Sequence, residues 1–202
     1  MANKQINELN ELTDAASGDL IPIYDLDEGG SEKTKGITVN NLARSSWIEL
    51  SEVNTNTSTT SVTLCSGIPT DVIEIEVILN YVSTNGTNVP FLFGGNGSEE
   101  RSGYDASISV GTGNDNRTEG IPLNVAGSHA AGDHMSAVVS FLRWNRTEHL
   151  WLIQGLIHED SAQSPRNMAC RKTFSGALNY IELGTVSETH VFDNGEARVR
   201  YR

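Results

Sequence analysis

The chain has 202 residues, 14 of them basic and 26 acidic, for a formal net charge of −12 and a pI near 4.7. Gly, Ser, Thr and Asn fill over a third of it; a coiled coil, which needs about half A/E/K/L/R, is excluded, and so is collagen, because the glycines have no three-residue period. The acidic balance argues against a nucleic-acid groove, which needs clustered Lys and Arg, and against docking on anionic lipid. No run approaches about 18 apolar residues, and the opening MANKQINELN has no hydrophobic signal core, so the protein is expected to be made, and at first kept, in a cytoplasm, without membrane insertion. Cys65 and Cys170 lie far apart with no CxxC spacing and are expected to be buried free thiols acting as small hydrophobes.

The chain divides near residue 46. Ile6, Leu9 and Leu12 form one narrow helical stripe that ends at Ser17-Gly18-Asp19. Leu20–Asp25 is extended, since Pro22 lacks a donor and holds Ile21 away from helix. Asp27–Ser31 is a turn by composition, Gly36–Val39 returns as a strand, and Asn40–Arg44 closes the segment. Residues 1–46 hold too few large apolar side chains for a core of their own, which predicts an attachment element.

From Trp47 to Arg202 the period is two. Trp47–Ser51 and Ser61–Cys65 alternate, and Val72–Val82 is a long strand with Ile73, Ile75, Val77, Leu79 and Tyr81 on one face. Asn85-Gly86 reads as a hairpin turn before Val89–Phe93. Met135–Trp144 pairs with His149–Ile157 across Asn145–Glu148, and Tyr180–Leu183 and Ala197–Arg202 complete the set. About eight to ten strands between Gly/Asn/Ser turns predict a mainly β fold, a jelly-roll-like antiparallel β-sandwich over 47–202 with a small N-terminal anchor. The polar stretches 94–104, 111–120 and 126–134 are expected to project.

Two stretches carry a resemblance. Ile6-x-x-Leu9, Ser17-Gly18-Asp19-Leu20-Ile21-Pro22-Ile23-Tyr24-Asp25 and Thr34–Leu42 resemble, in order and spacing, the N-terminal module of bacteriophage virion fibre proteins. Arg101–Asp105 and Phe192–Ala197 are similar to parts of the β-sandwich that ends many small phage fibres; the close in Arg198, Arg200 and Arg202 departs from the apolar last strand of that domain. The resemblance implies a homotrimer on the outer surface of a virion's tail or capsid. It also implies an attachment face of Leu20, Pro22, Ile23, Ile37, Val39 and Leu42. Its partners would be a second and third copy, other virion proteins and a host surface glycan or receptor.

The remaining candidates are weighed on their residues. His129-Ala-Ala-Gly-Asp133-His134 offers two imidazoles and a carboxylate, but no further His or Cys completes a zinc set, so a polar surface loop is expected. Gly111–Asn116 departs from EF-hand ligand order. Gly94-Gly95-Asn96-Gly97 and Gly29-Gly30 lack a phosphate-loop ending. Glu99-Glu100 would serve glycoside hydrolysis only across a groove from another carboxylate, and no G-x-S-x-G elbow is present. No enzyme, metal or cofactor is expected. Trp144 and Trp151, on adjoining strands, are expected in the core rather than as a sugar platform, with Trp47 weighed alongside them. Arg198, Arg200 and Arg202 share one face of the last strand, opposite Val199 and Tyr201. They either blunt a sheet edge or cross to carboxylates of a neighbouring subunit.

The functional expectation is therefore a non-enzymatic short tail fibre. The alternatives are a capsid decoration protein or head fibre that stabilises the shell and, in a different class, a glycan-binding lectin or carbohydrate-active enzyme.

Overall fold

The computed structural model describes residues 20–24, 34–38, 47–110, 113–125, 129–160, 165–185 and 187–202, and every regular element among them is a strand. The chain divides into two units, Met1–Trp47 and Ile48–Arg202.

In the first unit, β1 (Leu20–Tyr24) pairs antiparallel with β2 (Thr34–Thr38). Pro22 stands opposite Gly36, and Ile37 opposite Ile21. Leu20, Pro22 and Ile23 therefore lie on β1 and Ile37 on β2. The expected helix over Ile6–Leu12, together with Val39 and Leu42, lies outside the described residues.

Among the described residues the second unit holds thirteen strands. They are β3 (Ile48–Glu49), β4 (Val53–Asn54), β5 (Ser61–Ser66), β6 (Glu74–Thr84), β7 (Pro90–Gly95), β8 (Tyr104–Val110), β9 (Gly113–Arg117), β10 (Ile121–Pro122), β11 (Met135–Asn145), β12 (Leu150–Glu159), β13 (Arg166–Thr173), β14 (Tyr180–Thr185) and β15 (Phe192–Tyr201). A four-stranded sheet runs β10-β7-β14-β5, and a larger one runs β3-β15-β6-β11-β12-β13-β8-β9, with β4 also on β15. The pairing is antiparallel throughout and nested: β4 with β15, β5 with β14, β6 with β11, β7 with β10.

Alternation explains which face each strand buries. Ile75, Val77 and Leu79 of β6, Val139 and Phe141 of β11, Trp151, Ile153 and Ile157 of β12, and Met168 and Cys170 of β13 point inward to meet Val62, Leu64, Leu92, Ile181 and Leu183 of the smaller sheet. At about 25 cal/mol per Å² of apolar surface, this single core is the main favourable contribution to the fold. Cys65 and Cys170 are buried free thiols, as expected, and burial pushes each up to about 12.

Several expectations fail where the period slips. Tyr81 takes a left-handed φ of 57° at an irregularity in the β6–β11 register, so its ring turns out to solvent and Val82 takes the inward place. Ile73 precedes β6 and is 46% exposed. Trp144 sits at the bulge between Arg143 and Asn145 and is 72% exposed, whereas Trp151 is buried with the Arg143 guanidinium 5.9 Å from its ring. Asn85-Gly86 is no hairpin turn but a corner between the two sheets, closed by Val191 N–H donating to Asn85 Oδ1. Gly86 is needed there, because a Cβ would fall 2.2 Å from the His190 ring. Strand β9 occupies much of the expected loop 111–120, and β8 and β13 extend the large sheet beyond the expected set.

Candidate interaction surface

The outward face of the large sheet carries the feature that most needs explaining. Inward and outward residues alternate on β6, β11 and β12, yet the outward positions are not uniformly polar. Val138 lies opposite Ile78 on one side and Leu156 on the other, and Leu142 lies opposite Leu152. Val138, Leu142, Leu152 and Leu156 are 43%, 40%, 38% and 54% exposed. Between these two apolar rows runs a polar one, Glu76–Ser140–Gln154. The twin apolar sides of β11 and β12 were legible as apolar residues; their exposure was not, because a strand buried on both faces reads the same way.

The margin of this face is β15, which β6 flanks along its length and only the two-residue β3 and β4 flank on the other side. It is therefore nearly an edge, and its outward row is charged. Arg198 Nε donates to Glu52 Oε2 at 2.9 Å, Arg200 Nε to Glu76 Oε1 at 2.7 Å and Arg202 Nε to Glu74 Oε2 at 2.7 Å. Arg198 holds the Glu52 carboxyl below the usual carboxylate range. Each arginine thus meets a carboxylate of its own chain, while Val199 on the other face is buried.

The described parts of the polar stretches carry ion pairs and ring contacts. Arg101 lies 4.6 Å from the centre of the Phe93 ring and bridges Glu182 and Glu188, each at 2.9 Å. Burial raises the Glu182 carboxyl above its ordinary range, against the Tyr180 hydroxyl and Arg101, which lower it. Glu99 pairs with Arg101 at 3.5 Å and Glu100 with Lys172 at 2.8 Å, so the Glu99-Glu100 pair is spent on ion pairs. In 111–120, Asp115 and Glu119 both bind Arg117, at 2.8 and 3.2 Å.

The loop from His129 to His134 is split. His134 stacks beside Tyr81, with ring centroids 4.6 Å apart, and its Nε2 lies 3.1 Å from Asn194 Nδ2. His129 turns the other way and is buried, so the expectation of a wholly surface loop fails there. Its Nε2 lies 3.1 Å from Thr84 Oγ1 and its Nδ1 3.4 Å from Glu159 Oε1; Arg166 Nη2 holds Glu159 Oε2 at 2.8 Å. Glu159 and Arg166 were missed in the sequence. The signal for Glu159 was present: it continues the inward alternation of Trp151, Ile153 and Ile157.

No helix among the described residues is long and apolar enough to cross a membrane. Comparison with protein-family models, with curated proteins and with solved structures yields no match.

Proposed function

We propose that the chain is a non-enzymatic structural protein of a bacteriophage particle, a homotrimeric short tail fibre held by residues 1–46 that turns its β-sandwich outward for host contact. The observation that carries this reading is the two exposed apolar pairs Val138–Leu156 and Leu142–Leu152, on either side of the polar row Glu76–Ser140–Gln154, on the outward face of the large sheet. Apolar side chains grouped on an exposed face mark an interaction site, and covering these half-exposed ones stabilises association by about 1 kcal/mol each. The nested strand pairing supports a jelly-roll reading of the sandwich. The N-terminal resemblance supplies the particle, and the antiparallel β1–β2 pair is compatible with that module.

The test is the solution mass of the full-length protein by light scattering, with Leu156→Glu beside it. The parent is expected near three times 21.9 kDa, and the variant at the single-chain mass with an unchanged far-UV spectrum. A parent that runs as a clean monomer overturns the reading.

A further inference from the structure

We infer that His129, Asp133 and Glu159 form a binding site for one divalent cation of the zinc class, a property independent of any place on a virion. One ligand atom from each of the three lies within 4.8 Å of the others. His129 and Glu159 are buried and Asp133 is half-buried, so the site has a protected floor and one side open to solvent. His129 Nδ1 and Glu159 Oε1 stand 3.4 Å apart. Two atoms bound at 2.0–2.2 Å to a tetrahedral zinc ion are themselves separated by about 3.4 Å.

The hydrogen bonds around the imidazole prepare it as a ligand. Thr84 Oγ1 lies 3.2 Å from the Gly86 carbonyl and 3.1 Å from His129 Nε2; we assign its one proton to the carbonyl, which makes it an acceptor for Nε2. The ring proton assigned by this network is on Nε2, and Nδ1 turns a lone pair toward Glu159. A metal-bound histidine has the same arrangement, its far N–H fixed by an oxygen. Arg166 holds Glu159 by Oε2 and leaves Oε1 facing the imidazole.

Two acceptors aimed at one point in a buried place call for positive charge between them. Asn124 provides a partial charge there: its Nδ2 donates to Glu159 Oε1 and reaches His129 Nδ1 at 3.3 Å, while its Oδ1 accepts from Val125 N–H at 2.7 Å. A cation takes the position that this amide now fills, and Asn124 is the group it displaces. The cluster sets two carboxylates, Asp133 and Glu159, against the single guanidinium of Arg166. One nitrogen and two carboxylate oxygens suit zinc, cobalt or manganese rather than calcium, which takes oxygen alone. Three protein ligands leave a fourth position for water.

The experiment uses chelator-treated full-length protein, zinc chloride and, as a spectroscopic probe, cobalt(II). Expected are one zinc per chain after gel filtration, a raised melting temperature, and the visible absorption of tetrahedral cobalt. Asp133→Asn, at a half-buried position, is expected to weaken zinc binding by at least about tenfold, whereas His158→Ala, at an exposed histidine, leaves it unchanged. Failure of the parent to take up either metal overturns the inference. So does uptake that Asp133→Asn does not alter, because the ion then sits on other histidines. A parent that is monomeric but binds zinc leaves this site standing and removes only the trimer.

Discussion

Lys172 points into the sandwich from β13 and yet is not stranded there. Its Nζ donates to the Ser102 carbonyl and to Glu100 Oε2, both at 2.8 Å, and rests 5.0 Å from the Tyr104 ring centre and 5.4 Å from that of Phe174. The aliphatic stem packs while the charge leaves sideways through the loop 96–103. Burial alone would raise the Glu100 carboxyl, but Lys172 and the Ser175 hydroxyl and amide outweigh it and hold it below the ordinary range. A carboxyl lowered in the fold contributes stability above its unfolded pKa, and that contribution disappears as the pH falls through the folded value. Glu100→Gln is therefore expected to cost about 1 kcal/mol at pH 7, a modest figure because the group is partly in water. The gap to the parent should close in acid, below the usual carboxylate range. Paired urea titrations at neutral and acid pH measure it; a gap of equal size at both would mean that the ion pair is not the source.

At the scale of strands, what could be read from the sequence depended on whether the period of two ran unbroken and on which side carried charge. β11 and β12 were legible because Val139 and Phe141 face Ile153 and its neighbours without interruption until the bulge at Trp144. β13 was not, although its alternation is regular, because two of its four inward residues are Arg166 and Lys172. Their acceptable burial depends on Glu159 and Glu100, which lie elsewhere in the chain. The same reason hid one member of the proposed cation cluster: His129 and Asp133 are neighbours in sequence, but Glu159 joins them only through the fold. β15 shows what sequence patterning omits about backbone. It shifts register against β6 on either side of Asn194, where Gly195 adopts φ 97° and a Cβ would fall 2.6 Å from Val82 Cα and 2.7 Å from the Tyr81 carbonyl. Both the conformation and the backbone contact exclude a side chain. Gly195→Ala is expected to destabilise by about 1–3 kcal/mol, which for a chain of this size lowers the melting temperature by several degrees. An unchanged melting curve would show that β15 can leave its register with β6 at no cost.

For the whole molecule the governing quantity is a net charge of −12. Copies of such a chain repel one another, so self-association requires a surface where the repulsion is locally cancelled. The β15 margin meets that condition, since Arg198, Arg200 and Arg202 each face a carboxylate already within the chain. In the proposed association the arginines need not cross a subunit boundary, because the margin beside the apolar rows is already neutralised within the chain. The buried apolar residues described all lie between Val62 and Val199, within the second unit. A two-stranded pair such as β1–β2 is marginal alone in water and gains stability by docking on another surface. On the proposed reading, removal of residues 1–46 is expected to give a soluble body with the oligomeric mass of the full chain that no longer joins phage particles. Purified particles probed for the truncated and full-length chains decide it. Truncated protein present at the full-length copy number would show that attachment runs through the sandwich, and Leu20, Pro22, Ile23 and Ile37 would then have no part in holding the protein on the virion.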